Sequence, residues 1–395
     1  MPNVSKSSSP TPSEQTANER AALAQESIVD RNLARAFGLP LTRISRIAWP
    51  MPTYRQRKGM WHYWWQAHLT DLLIDAELHR PSPDGALTVN RMLRGIRIRN
   101  LGRWTNNYYD DMAWLGLAAE RADRHFHLGR EGAVRVLTDR MLSSWIPQRG
   151  GGIPWRTMDL FFNAPANGPA AILVARTGHT ERTIAMCDWL DANLIDPTTH
   201  LVIDGIKPAA QSGSDTSKFE RVTAIYSYCQ GVVLGAEVEA YRLTGEARHV
   251  ERIARLLDAI EQHHLRDGII PSSGGGDGGL FSGVFARYLA LVATDLRGDH
   301  ADIPALRERA AAIVRVNADA AWANRTVDAS GRIFFGPDWA KPAQVPTTGG
   351  GDAEFIEGAV HSSKIPERDL SVQLSGWMVL EAAAAVELGR AEVGG

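Results

Sequence analysis

Only two cysteines, Cys187 and Cys229, occur in 395 residues, and neither stands in a CxxC pair or at ligand spacing from a histidine. A disulfide framework and a zinc site are therefore excluded as the basis of the fold. Both thiols read as small buried hydrophobes on apolar helices. An excess of charge is lacking too: 43 Lys and Arg against 45 Asp and Glu leave a net charge of −2. The basic residues are scattered, which argues against a nucleic acid or an anionic membrane as partner. No apolar run approaches the ~18 residues of a membrane span. Residues 1–18 are rich in Ser, Pro, Thr and Glu and lack the apolar core of an export signal. A disordered tail there, a single domain over 19–395 and a cytoplasmic location are expected.

What the chain does have is helical periodicity. Amphipathic or wholly apolar segments predict twelve helices, near 17–37, 60–80, 86–99, 108–127, 130–144, 162–177, 179–194, 221–243, 246–264, 280–297, 303–323 and 369–388. Tight turns at Gly129, Gly178, Gly245 and Gly298 place glycine where a left-handed helix end needs it. The repeating unit is a helical hairpin. Even-numbered members are apolar nearly all round, whereas odd-numbered ones carry Arg and Glu on one face. Six hairpins with buried inner and wet outer members make an all-α (α/α)6 barrel, a toroid. Long loops lead from outer to inner helices on one face, which is where a site is expected.

One stretch at such a loop-to-helix junction carries chemistry, Trp104-Thr-Asn-Asn-Tyr-Tyr-Asp-Asp-Met-Ala-Trp114. Its adjacent acids, Asp110 and Asp111, lie among residues that prefer burial, and a helix N-terminus favours an ionised carboxylate. Two carboxyl groups in such a setting suit glycosidic bond cleavage, one as nucleophile or base and one as proton donor. Candidate substrate-binding residues repeat at the inner-helix starts and in the loops: Trp65, Gln66, Asn106, Asn107, Tyr109, Trp155, Asn163, Asn167, Tyr228, Gln230, Phe281 and Arg287. Such a set of amides, aromatics and one arginine favours a hydroxyl-rich ligand. The Gly-rich loops at 150–152, 274–279 and 349–351 are not followed by Lys-Ser/Thr, so phosphate cradling is excluded. Nothing in the sequence calls for a metal or cofactor.

The stretches WWQAHLTDLLIDA, YYDDMAWLGLA, GGGIPW, FFNAPANGPAAILVARTG, YSYCQGVVLGAEVEAYRLTG and LFSGVFARYLA, running from Trp64 to about Leu291, resemble glycoside hydrolase family 76. The resemblance implies the same barrel and an endo-acting α-1,6-mannanase, with α-mannan or manno-oligosaccharides as substrate. It assigns Asp110 as nucleophile and Asp111 as acid/base. Cys229, Phe162 and Ser282 depart from the Asn, Lys and Lys commoner in the family at those places. Adjacent short side chains suit the ~5–5.5 Å carboxyl separation of a retaining enzyme better than the wider gap of an inverting one. An inverting glycosidase would need a more distant base, such as Asp277 or Asp352. A sugar epimerase of the same architecture, for which His68 is the candidate histidine, and a non-catalytic glycan-binding scaffold are the alternatives.

Overall fold

The computed structural model describes residues 15–51, 60–209, 218–349 and 351–393. Most of the expected tail lies outside the described residues. Its last positions start the fold, because the Thr16 hydroxyl accepts the Glu19 N–H while the Glu19 carboxylate accepts the Thr16 N–H, a reciprocal box that opens α1 (Ala17–Asn32). Eleven further helices follow: α2 (Tyr63–His79), α3 (Gly85–Arg99), α4 (Tyr109–Phe126), α5 (Glu131–Ser144), α6 (Ala164–Arg176), α7 (Thr180–Leu194), α8 (Ser227–Thr244), α9 (Ala247–Ala259), α10 (Gly278–Asp295), α11 (Ile303–Ala323) and α12 (Leu370–Val393). They are the helices the periodicity predicts, with ends shifted by a few residues. The first stops earlier than expected, at Asn32, and α9 ends in a wider π turn over Ile260–His264.

Each even-numbered helix packs on the next, and α12 packs back on α2, closing a ring. Each odd-numbered helix from α3 onward packs on the even-numbered helix before it, and α1 completes the outer layer against α12. The chain is an (α/α)6 barrel. Burial follows the sequence pattern. On α9, Val250, Ile253, Leu256 and Leu257 face inward while Glu251 and Asp258 are exposed. On α8, nearly every residue from Cys229 to Tyr241 is buried. Glycine lets the inner helices approach: a Cβ at Gly283 would come 2.7 Å from the Ser375 Cα, and one at Gly231 would come 2.9 Å from the Phe285 Cα. Short turns join inner to outer helices at one end. Gly245 caps α8 with φ +67, whereas on α4 the left-handed cap is His127, two residues before the glycine expected there.

That short-turn end is tied by charge. Arg121 of α4 and Arg287 of α10 each bridge Asp71 and Asp75 of α2, with Arg121 Nη2 at 2.5 Å and Arg287 Nη2 at 2.6 Å from Asp75. The opposite end holds the long loops, whose irregular backbone is paired in small sheets. Phe162–Asn163, Gly205–Pro208 and Phe219–Val222 form a three-stranded antiparallel sheet, and Glu354–Ile356 pairs with Ala359–His361 as a hairpin. No described helix is long and apolar enough to cross a membrane.

Candidate active site

The loop before α4 is zipped to the loop before α6. Tyr109 N–H donates to Trp155 O (2.9 Å), Thr157 N–H donates to Asn107 O (2.9 Å), and Tyr108 and Arg156 form an antiparallel bridge. Asn106 then organises the helix start: its Oδ1 accepts the Tyr108 N–H at 2.9 Å, and its Nδ2 donates to Asp111 Oδ2 at 2.6 Å. Asp110 and Asp111 fall in the first turn of α4. Asp110 receives two donors, the Asp111 N–H at 2.8 Å on Oδ1 and the Trp155 indole N–H at 3.0 Å on Oδ2.

These bonds differentiate the two acids. Burial pushes the Asp110 carboxyl up to about 7, against the pull of its two N–H donors. Asp111 is driven well above the usual carboxylate range by burial and then by the charge of Asp110, with the Asn106 amide opposing. Burial thus raises both acids, and the charge of Asp110 adds to the rise at Asp111.

A third acid faces them. Asp277 caps α10, which lies across the ring from α4. Its Oδ1 accepts the indole N–H groups of Trp64 (2.7 Å) and Trp65 (3.0 Å), and its Oδ2 accepts the Val360 N–H (2.7 Å). Burial raises its pKa while those donors lower it, and its charge in turn raises both Asp110 and Asp111.

Around the acids is a cleft of about 1110 Å³ whose walls hold Asn106, Asn107, Trp155, Asn163, Tyr228 and Phe281. Tyr228 and Phe281 stack face to face, with centroids 3.9 Å apart and planes 9° apart. Trp155 stands edge-on to Tyr108 and Phe161. Among the described residues, no Lys or Arg lines the cleft. Aromatic faces, amides and acids fit a polyhydroxylated ligand. Among the described residues, no group of three or more His, Cys, Asp or Glu is placed to hold a metal ion.

Residues 43–371 match glycosyl hydrolase family 76. The chain belongs to that family. It is a glycoside hydrolase. Among solved structures it is similar to the GH76A α-1,6-mannanase from Salegentibacter sp. HEL1_6, with 26% identity, 94% of this chain and 99% of that chain covered, and a TM-score of 0.76. An inactive variant of that enzyme, with two consecutive aspartates changed to asparagine and α-1,6-mannotriose bound, matches at 25% identity over 94% of this chain and 99% of that chain, with a TM-score of 0.76. The Lin0763 protein from Listeria innocua matches at 25% identity over 95% of this chain and 98% of that chain, with a TM-score of 0.75. Comparison with curated proteins gives no match.

Six of the residues expected to bind substrate in this family 76 chain stand outside the cleft. Gln66, Asn167 and Gln230 are fully buried. Each spends its amide on the loop that precedes its own helix, accepting the N–H and donating to the C=O of a single loop residue. The partners are Ser45 for Gln66 (2.8 and 3.3 Å), Ile153 for Asn167 (2.7 and 2.8 Å) and Val202 for Gln230 (2.8 and 2.8 Å). Gln373 on α12 does the same to Phe335 (3.1 and 2.8 Å). These amides are loop staples. Trp65 is fully buried with its N–H on Asp277, Tyr109 is buried under the Arg140 guanidinium, and Arg287 belongs to the charge cluster at the other end of the barrel. His68 is buried beneath Trp64 and Trp114, and burial takes its pKa down to about 3. Asp352 is paired with Arg368 at 3.0 Å.

Several cleft residues were not singled out as ligands from sequence. Trp64, Phe161, Asp204, Tyr226 and Phe355 line it with Asp277. Trp64 was hidden by its neighbour Trp65, since only helical phase distinguishes which indole faces the cleft. Asp204 sits in a loop without a motif, and Phe355 arrives from a hairpin far along the chain.

Proposed function

We propose that the protein cleaves α-1,6-linked mannan or manno-oligosaccharides with retention of anomeric configuration, Asp110 acting as nucleophile and Asp111 as acid/base. The observation that carries this is the unequal bonding of the two acids: two N–H donors on Asp110 favour its anion, while Asp111 lies beside that anion with a single amide donor. In the first step Asp110 attacks the anomeric carbon as the glycosidic C–O bond breaks, and the Asp111 proton passes to the leaving oxygen. In the second, Asp111 takes a proton from water, whose oxygen displaces Asp110 from the same carbon. The mannosyl linkage is supported by the Salegentibacter enzyme, named an α-1,6-mannanase, and by its inactive variant changed at two consecutive aspartates. The aromatic and amide side chains among the described cleft residues fit a neutral glycan.

The test is incubation with α-1,6-mannan and, in parallel, with α-1,2-, α-1,3- and β-1,4-linked polymers, followed by reducing-end measurement and proton NMR of early product. Release from the α-1,6 polymer with the α-anomer appearing first is expected. Initial β-anomer would mean inversion, and cleavage confined to another polymer would overturn the linkage.

A further inference from the structure

Charge balances over the whole chain but not within it. Residues 31–70 and 85–109 contain twelve of the 43 Lys and Arg and none of the 45 Asp and Glu. The fold lays the described parts of these two stretches side by side. The loop after α1 runs along α3, where the Arg43 N–H donates to Arg91 O at 2.9 Å and a Cβ at Gly95 would stand 1.8 Å from Arg43 O. One surface then carries Arg35, Arg94, Arg97 and Arg103, all exposed, with Arg43 and Arg91 half-buried between them. None of the six is ion-paired to a described carboxylate. On α9 and α11, by contrast, Arg248, Arg252, Arg309 and Arg315 each meet an acid. Burial, then the charges of Arg97 and Arg94, lower the Arg130 pKa against the pull of Asp123, so the cationic field reaches the turn before α5.

Apolar side chains stand among these cations. Leu101 is 89% and Phe37 65% exposed, and Leu39 and Leu41 are exposed in the same loop as Phe37. Phe37, Leu41 and Leu101 take φ of 52, 56 and 54, a left-handed backbone that disfavours bulky residues. Three apolar side chains are thus turned to the outside on backbone that itself costs free energy. The Arg99 guanidinium lies over the Phe37 ring, 4.5 Å from its centroid, and 5.7 Å from the centroid of Trp61, which lines the cleft together with Asn100. The patch therefore borders the cleft.

We propose that this face docks the protein on an anionic lipid bilayer. The arginines are drawn to the negative headgroups, and the phenylalanine and leucines of the projecting loops enter the boundary between headgroups and acyl chains. A nucleic acid or a free acidic polymer would answer the charge and leave four apolar side chains in water, whereas an anionic bilayer answers both. Because the patch borders the cleft, a docked molecule holds the acids of α4 beside the membrane, within reach of glycan attached to that surface. The claim does not depend on which glycosidic linkage the acids cleave.

The experiment sediments the full chain with vesicles of phosphatidylcholine alone, or of phosphatidylcholine mixed with phosphatidylglycerol, at low and raised salt. Two variants are compared with wild type. One carries Arg35→Glu, Arg94→Glu and Arg103→Glu; the other carries Phe37→Gly, Leu41→Gly and Leu101→Gly. Glycine suits the left-handed backbone, so the second variant should keep its Tm. Wild type is expected on the mixed vesicles only, and more weakly as salt rises. Each basic residue near such a surface contributes about fivefold to binding, so the charge variant should lose about 100-fold or more. The glycine variant should lose about 10-fold or more and keep the salt dependence. Cleavage of soluble mannan should match wild type in both, since none of the six side chains lines the cleft. No sedimentation of wild type with mixed vesicles, equal binding to the two compositions, full binding by the glycine variant, or a preference for duplex DNA over the mixed vesicles would overturn the bilayer assignment.

Discussion

Trp155 and Asp110 are joined by a 3.0 Å hydrogen bond from indole to carboxylate, so an aromatic ring on the cleft wall is also a support of the proposed nucleophile. The far edge of the same ring lies under the Glu354–His361 hairpin, where a Cβ at Gly358 would approach Trp155 Cη2 to 2.7 Å. Trp155→Phe keeps the ring and deletes the donor. Losing a donor to the anion raises the Asp110 pKa further, so the acid limb of kcat/KM should move to higher pH, with a fall of about 10-fold or more at neutral pH. A pH–rate profile checks this; an unshifted limb would mean that the bond is incidental.

Asp110→Asn and Asp111→Asn are each expected to lose roughly 10²–10⁴ in rate while gaining stability at neutral pH. Both folded-state pKa values are raised, by burial first. For such groups the stabilisation is present below the unfolded value near 4 and is lost as pH rises through the folded value, about 7 for Asp110. Wild-type Tm should therefore fall between pH 6 and 8 more than that of either variant. Thermal scans at the two pH values decide it.

Asp277→Asn removes a charge that raises both proposed catalytic acids, Asp110 and Asp111. Both should ionise more readily, and the bell-shaped profile should move to lower pH at both limbs. The activity maximum itself is expected to fall, because the hairpin loses the charged acceptor of Val360. Movement of the limbs in the opposite direction would contradict the shared electrostatics.

Arg287 was expected from sequence to touch substrate, and its surroundings give it another task. Arg287→Ala leaves Asp71 and Asp75 short of one cation, a loss of about 3–5 kcal/mol for a buried pair. Although burial pushes Asp71 up, Arg121 and Arg287 hold it below the ordinary carboxylate range. Its contribution is thus full above about pH 4 and lost as pH falls, so the variant should differ most from wild type near neutrality. Urea denaturation at pH 7 and pH 3 measures this, and KM for manno-oligosaccharides should stay unchanged in the folded fraction.

Phe355, mid-strand in the hairpin and paired with Val360, is 54% exposed and stands edge-on to Tyr108, with centroids 6.1 Å apart. Phe355→Ala should leave Tm nearly unchanged and raise KM for manno-oligosaccharides by a few-fold, in line with about 0.5–1.5 kcal/mol for an aromatic contact. Steady-state kinetics on a size series of oligosaccharides would check it.

The barrel was legible because burial on an inner helix leaves an apolar pattern all round, while burial on an outer one leaves a stripe. The acidic pair was legible because both acids and their flanking aromatics are contiguous. The ligand set was less so. Gln230 and Tyr228 are two residues apart on α8, yet one staples Val202 and the other faces the cleft. Composition cannot separate a buried amide satisfied by backbone from one awaiting a sugar. Asp204 and Phe355 come to the cleft through loop pairings with no periodicity to announce them.

The amide staples stand at the fourth residue of α2, α6, α8 and α12. On α4 and α10 that place is taken by Met112 and Phe281, and these are the two helices, opposite each other in the ring, that carry acids into the cleft. Four spokes of the wheel are thus committed to holding its rim, and one diameter is released for reactive groups. As a scaffold, the barrel accepts new chemistry most cheaply along that diameter: replacing the first turns of α4 and α10 would exchange the reacting groups and leave all four staples in place.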